Sequence, residues 1–488
     1  MRGRWPILAV GRPACPGSVQ RRLEVTRERF DNRPVKTATA RRCIVFALGI
    51  LLARLGAEVV VLNDDGAWNW LQDQRALVVG DMLVVGSVAL GHRDPARRGH
   101  VEVATYHRGT RRVERHTLHA ETTPAAALRW ADDHSAPALL RRPDGRLLAI
   151  YSRHGQDPEF YFRVSTQPDS AAAWGDEQVF ASPAGSRVTF PSLVHLAGER
   201  EGRGRTLLFY RGFNRELMPA WAYSDRGGEG WSAQGTFLQR PGKATPYVKY
   251  ASDGDRTVHL AFTDGHRLDF NNGLFHAMYR DGALWRSTGE RIGAVPPGIG
   301  PAELPTEIFR ANADSVAMIS DLELDAQGRP CVVYSVQMNT RPLRPRPVGA
   351  DHRYRYARWN GTRWLDYEIA HAGTETHTAA DDDCTGLAAL DPKDVDVVYI
   401  STNSDPVSGA PLVSRADQKR HWEIFRGRTR DGGATWQWEA VTRNSTADNL
   451  RPIVPPGATD SSPVVWLRGE MRMPKDSALE VVTLWTRD

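Results

Sequence analysis

The stretch RRPDGRLLAIYSRH, Arg141 to His154, is a turn, an unbroken apolar run ending in Tyr151, and an abrupt return to polar side chains. A surface helix would interpose polar residues every third or fourth position, so the run is predicted to be a buried strand. The pattern recurs along the chain. It reads GDMLVVGSV from Gly80, GRLLAIYSRH from Gly145, GRTLLFYRG from Gly204, DRTVHLAFTDGH from Asp255, GRPCVVYSV from Gly328, VDVVYIST from Val395 and SSPVVWLRG from Ser461. These seven copies lie 51 to 73 residues apart, and their aromatic column is Tyr151, Tyr210, Phe262, Tyr334, Tyr399 and Trp466, with Gly86 the exception.

Upstream of most copies lies a second apolar segment (HSAPALLR, TFPSLVHL, TPYVKYA, MISDLELD, TGLAALD), which supplies an adjacent antiparallel strand. Downstream, hairpins carry Trp174, Trp231, Trp285, Trp364 and Trp436. Four strands repeated seven times predict an all-β fold, a seven-bladed β-propeller of four-stranded antiparallel blades. The last copy leaves room for few strands after Trp466. The segment around Glu58–Leu62, or else Trp68–Val79, is therefore expected to complete the seventh blade and close the ring with N- and C-terminal strands. Thr429 to Trp436 (TRDGGATW) fits the Asp-box, Ser/Thr-x-Asp-x-Gly-x-Thr-Trp, and SDRGGEGW from Ser224 is a degenerate copy; both read as structural turns.

The chain has 488 residues, 25% of them charged, and a net charge of +5. That charge is unevenly placed: residues 1–45 carry +8 and the remainder −3, so a general affinity for nucleic acid has no support. Residues 1–57 read as a basic leader in which Cys43 to Ala53 (CIVFALGILLA) follows Arg41 and Arg42 and precedes Gly56-Ala57. This has the layout of a secretory signal, is too short for a membrane span, and implies an extracellular protein. The alternative is a basic tail followed by a first strand at 57–62. Residues 58–488 form the single propeller. Cys15 and Cys43 fall in the leader; Cys331 and Cys384 either pair or remain two buried thiols, and nothing in their spacing suggests zinc.

In such a fold, residues just before the first strand and just after the second strand of a blade meet at one mouth. These positions hold Trp70, Gln72, Asp73 and Arg75; Asp132, Asp133 and His134 with Arg153 and His154; Arg211 and Asn214; Tyr247 with Asp264 and His266; Asp321 with Gln337; and Arg451 with Arg468. His134 and His154 sit at the two ends of one predicted strand pair and are expected to be neighbours. Arg211 interrupts a column otherwise filled by Ser152, Thr263, Ser335, Ile400 and Leu467, which points to an anionic ligand. Arg75, Asn214, Tyr247, His266 and Arg451 are expected to bind substrate, whereas Tyr210 reads as core. His276, His352, His371 and His377 have no spacing that marks a metal site.

Two histidines and an arginine limit the chemistry. Arginine offers a planar fork to a carboxylate, and imidazole exchanges a proton near neutral pH. Removing the proton α to a uronate carboxylate needs both, which is β-elimination, the reaction of a polysaccharide lyase. Glycoside hydrolysis would need two facing carboxylates, and Asp73, Asp133, Asp264 and Asp321 form no marked pair.

The segments ADDHSAPA (131–138), RRPDGRLLAIYSRH (141–154), YRG (210–212), YVKYAS (247–252), FTDGH (262–266), HRYRYARW (352–359) and DNLRPIVP (448–455) resemble the BNR-repeat family of seven-bladed propellers over roughly residues 60–488. The family includes ulvan lyases and rhamnosyl-glucuronate lyases, and members with no assigned activity. The resemblance implies that His134 and His154 match the lyases' site histidines and Arg211 the arginine that neutralises the carboxylate. It also implies a Tyr as acid or base, best placed before a Pro at the blade entrance, where this chain has Phe190; a histidine doing both jobs, or Tyr247, would then replace the phenol. No cofactor is called for. A divalent ion supporting the fold or site is a further implication, with its ligands unplaced. The expected protein is a secreted monomer acting on acidic polysaccharide, with no nucleic-acid or membrane partner. A non-catalytic carbohydrate-binding propeller is one alternative. A sialidase-like exo-glycosidase is another, for which the arginine triad and Arg-Ile-Pro motif are not found.

Overall fold

The computed structural model describes residues 58–486 apart from 183–186, 213–216, 239–244, 267–270, 296–304, 313–314, 339–350, 375–384 and 473–474. The strands form seven antiparallel sheets, the blades of a propeller. The apolar run of each copy is the second strand of its blade: Met82–Val88, Leu147–Tyr151, Arg205–Arg211, Thr257–Thr263, Pro330–Met338, Asp394–Thr402 and Val464–Glu470. The upstream segments are the first strands, among them Ala138–Arg141, Thr189–Leu196, Val248–Ser252, Ser315–Leu324 and Ala388–Asp391. First strands of neighbouring blades touch one another, which places them innermost around the central channel.

Why the runs are apolar without a break is plain in blade 2. Leu147, Ala149 and Tyr151 pack into the cluster shared with blade 1, while Leu148 and Ile150 pack into the cluster shared with blade 3. Alternate side chains point to opposite faces of a strand, so a blade sandwiched between two others needs apolar residues at every position. Seven apolar clusters, one at each junction between neighbouring blades, fill the ring among the described residues. Gly86 breaks the aromatic column because a Cβ there would lie 2.5 Å from Pro137 Cγ of the next blade.

Blade 7 is assembled from both ends of the chain. Asp448–Ile453, Val464–Glu470 and Ala478–Leu484 are joined at the outer edge by Val60–Asn63, with Val60 opposite Thr483 and Val61 opposite Val482. The segment Trp68–Val79, the other expected partner, instead leads into the inner strand of blade 1, Ala76–Val79. One blade departs from four strands. Blade 4 has six, because Ala283–Trp285, Arg291–Ala294 and Thr306–Phe309 add short strands to its edge.

In the Thr429–Trp436 turn, Asp431 Oδ1 accepts from the Thr435 backbone N–H at 2.9 Å, and Thr429 Oγ1 accepts from the Gly433 N–H at 2.9 Å. Trp436 packs edge-on against Tyr356 of the neighbouring blade, with centroids 5.3 Å apart. Cys331 is a buried free thiol, and Cys384 lies outside the described residues, as do His377 and the whole leader with Cys15 and Cys43. No helix among the described residues is long and apolar enough to cross a membrane.

Deleting residues 469–488 removes Ala478–Leu484 and with it the partner of Val60–Asn63. Leu479, Val481 and Val482 are buried, and at about 1.5–3 kcal/mol each their loss approaches the whole stability of a typical domain. The truncated protein is expected to show no cooperative thermal transition by circular dichroism.

Candidate active site

His134 and His154 come from opposite ends of the first two strands of blade 2 and meet at the mouth of the propeller. His134 lies in a short 3-10 turn, Asp133–Ser135, capped by Asp132, whose Oδ1 accepts from the His134 backbone N–H at 3.1 Å. The same Oδ1 accepts from His134 Nδ1 at 2.8 Å, and the other oxygen, Oδ2, accepts from His154 Nδ1 at 3.0 Å. One carboxylate therefore grips two imidazoles, which stack with centroids 3.8 Å apart and planes 4° from parallel. Both rings are held by Nδ1, and both turn Nε2 away from Asp132.

The two rings differ in their surroundings. The His134 side chain is 13% exposed and the His154 side chain 33%. Asp133 Oδ1 lies 2.5 Å from His134 Nδ1 as well. Burial disfavours a charge on His134, but the Asp133 and Asp132 carboxylates outweigh it and push its pKa up to about 9. His154 moves the other way, held below the usual imidazole value by burial and then by the neighbouring His134 cation. Burial works against the ionised form of Asp132 too, yet the two imidazoles keep its carboxyl well below the usual range. His134 Nε2 lies 3.1 Å from the Asn69 amide nitrogen while Asn69 Oδ1 accepts from the Leu71 N–H at 3.1 Å, so a protonated ring requires that amide to turn and give up the Leu71 bond.

His154 and Asp132 open onto a cleft of about 500 Å3 whose wall includes Arg187, Arg211, Leu217 and Lys475. His154 Nε2 has no partner among the described residues, so a lone pair is available at the cleft. Arg211 ends the second strand of blade 3, and its guanidinium carbon lies 4.6 Å from the Phe190 ring centroid and 4.3 Å from that of Tyr247. Phe190 also faces His134, with centroids 5.1 Å apart. It is placed there by a bulge between Thr189 and Ser192, where its φ is +58° just before Pro191. A left-handed backbone at a bulky residue is strained, a conformation concentrated at functional sites.

Asp132, His134 and His154 bring ligand-type atoms within 4.8 Å of one another. Both Nδ1 atoms are already directed at Asp132, and His134 Nε2 faces the Asn69 amide instead of a point shared with His154. The trio does not fit the tetrahedral shell of a transition metal.

Of the expected substrate-binding residues, Tyr247 lies against Arg211, and His266 stands 5.6 Å from the Tyr247 ring without lining the cleft. Asn214 lies outside the described residues. Arg75 and Arg451, also expected to bind substrate, lie away from the cleft wall. Arg75 is buried and turns into the central channel, 3.3 Å from Asp73 Oδ1, while Asp73 Oδ2 accepts from the buried Lys249 Nζ at 2.9 Å. A carboxylate removed from water needs such cations, and this one draws Arg75 away from the mouth. Arg451 is 5% exposed and lies behind the histidines, 2.5 Å from Asp133 Oδ2 and hydrogen-bonded to the Trp68 carbonyl. Its φ of +52° precedes Pro452 in a second bulge, between Leu450 and Ile453, which directs the side chain inward.

Arg187 and Lys475 were not singled out from the sequence. Lys475 lies between the last two strands of blade 7, with Nζ 3.7 Å from Asp132 Oδ2, and no local pattern marks it. The central role of Asp132 does have a signal, since an acidic residue two positions before a turn histidine can cap the turn and hold the ring together.

The seven-bladed propeller is a fold that this chain shares with known proteins. Residues 95–372 match the model of a BNR repeat-containing family, and the chain belongs to that family. No curated protein matches it. Among solved structures, it is similar to the polysaccharide lyase PL25 ulvan lyase bound to -[GlcA(1-4)Rha3S]-, with TM-score 0.63 and 13% identity over 87% of this chain and 95% of that one. A second PL25 ulvan lyase structure gives TM-score 0.63 and 14% identity, with the same coverage. Polysaccharide lyase Uly1 gives TM-score 0.52 and 12% identity over 87% and 97% of the two chains. At such identities the likeness concerns the fold.

The raised His134 pKa carries a stability consequence. A group whose pKa rises on folding stabilises the native state fully below its unfolded value of 6.5 and loses that contribution as pH climbs through about 9. The melting temperature is expected to fall over that interval, by a contribution of at most about 3 kcal/mol. In His134→Asn, scanning calorimetry should show a smaller fall over the same interval.

Proposed function

We propose that the protein is a polysaccharide lyase that cleaves uronate-containing polysaccharide by β-elimination. The observation that carries this reading is the shared grip of Asp132 on two stacked imidazoles, which leaves His154 Nε2 facing a cleft that also holds Arg211. The likeness in fold to an ulvan lyase with a glucuronate-containing ligand supports it. Export to meet such a substrate belongs to the same proposal and accords with the apolar run at Cys43–Ala53.

The chemistry follows from charge. His154, kept neutral by its depressed pKa, takes the proton from C5 of the uronate on Nε2. Electron density moves into the carboxylate, where the Arg211 fork offsets the growing charge. The C4–O4 bond then breaks, a C4=C5 double bond forms, and the departing O4 needs a proton. In a 4-linked glucuronate, H5 and O4 lie on one face of the ring, so the same imidazole serves both steps. The His134 cation stacked behind it destabilises the newly formed imidazolium and favours return of the proton. No phenol is required, which fits Phe190 at the position where related lyases are expected to carry a tyrosine.

Hydrolysis by paired carboxylates has less support. Asp73, Asp321 and Glu323 do gather in the channel, but the cavity they line holds about 20 Å3, room for a water molecule and not for a sugar.

The test is ultraviolet absorbance of the unsaturated uronate product across a panel of uronate polysaccharides. His154→Ala and Arg211→Ala should each lower kcat/KM by about 10^2–10^4-fold. The pH profile of kcat/KM should be bell-shaped, rising through a pKa below 6.5 as His154 becomes neutral and falling near about 9 as His134 loses its proton. Activity that survives His154→Ala would remove this assignment.

A further inference from the structure

We infer that Phe190 is a positioning residue whose aromatic face, together with that of Tyr247, fixes the Arg211 guanidinium at the cleft. The inference rests on the uronate reading for its functional meaning, but its geometry stands by itself.

The two ring centroids lie 4.6 Å and 4.3 Å from the guanidinium carbon, well within the range at which a cation is attracted to a π face. Phe190 and Tyr247 are 7% and 5% exposed and belong to one apolar cluster with Leu71, so the rings are held from behind. The space around Phe190, Tyr247 and Arg211 amounts to about 20 Å3, which leaves the guanidinium little freedom to swing. The other neighbour of Phe190 is His134, whose ring is tilted by 32° to it. Phe190 thus spans the two charged parts of the site, the arginine and the buried imidazolium.

The backbone supports this assignment. A bulge places Phe190 with φ +58° directly before Pro191, and that strained geometry brings the ring to this spot. An aromatic side chain here does its work with its face, and a hydroxyl at its tip adds nothing to the hold on Arg211. Fixing the guanidinium before the substrate arrives lowers the entropy lost when its fork meets a carboxylate.

The experiment uses Phe190→Leu, which keeps an apolar side chain and the bulge but removes the π face, and Phe190→Tyr, which restores the face. The first readout needs no substrate. The Arg211 Hε resonance should carry an upfield ring-current shift in the parent and in Phe190→Tyr, and lose much of it in Phe190→Leu. The second readout is calorimetric binding of a 4-linked glucuronate oligosaccharide in a His154→Ala background, where turnover is absent. Phe190→Leu should weaken binding about tenfold and Phe190→Tyr should not. With Arg211→Ala also present, Phe190→Leu should cost nothing further, because its effect acts through the arginine. Thermal melts establish that each variant is folded. An unchanged Arg211 resonance in folded Phe190→Leu, or a loss of binding that persists in full without Arg211, would overturn the inference. A lost ring-current shift with no oligosaccharide binding in any variant would uphold the positioning role and sink the uronate reading instead.

Discussion

Every blade of this protein is apolar on both faces, and none of them could be stable alone. The constraint that governs the structure is therefore closure. Seven interfaces must be filled, and the seventh packs blade 7, whose outer strand Val60–Asn63 pairs with Ala478–Leu484, against blade 1. The mouth of the propeller inherits its precision from that ring. Side chains drawn from blades 2, 3, 4 and 7 converge there, and their spacing is set by how the blades pack and not by the loops that carry them.

Within that frame, charge is arranged in two buried layers. In the channel, Asp73 is matched by Lys249 and Arg75; nearer the mouth, Asp133 is matched by Arg451 and His134, and Asp132 by both histidines. Each of these three carboxylates has a cationic partner at close range, which offsets the cost of desolvation. The outcome at the cleft is an imidazole with a lowered pKa and a guanidinium in the same wall, while the group with the raised pKa lies deeper. Two chemically identical side chains, 3.8 Å apart, are thereby shifted in opposite directions by their depth and neighbours.

Much of this was legible in the sequence, for reasons that differ by feature. The second strand of each blade was marked by an apolar run followed by an aromatic, because burial on two faces leaves no other composition. His134 and His154 could be paired because they flank consecutive strands of a single hairpin. The inward placement of Arg75 and Arg451 is not legible in the same way. Their true directions depend on a buried carboxylate and on a left-handed residue before Pro452, and neither is visible in strand-end position alone. Lys475 arrives from a blade distant in sequence and has no local signature. The extra strands of blade 4 are three or four residues long, and so short a segment carries too little periodicity to mark a strand.

The antiparallel pairing of Val60 with Thr483 also places the two ends of the described chain side by side on the outer edge of one blade. In covalent terms the ring has a single seam, and the seam's position is a matter of connectivity, not of packing. A short linker joining residue 58 to residue 486, with new ends opened in an exposed loop between two other blades, would leave all seven interfaces intact. The order in which the blades are synthesised would change while the folded ring would not.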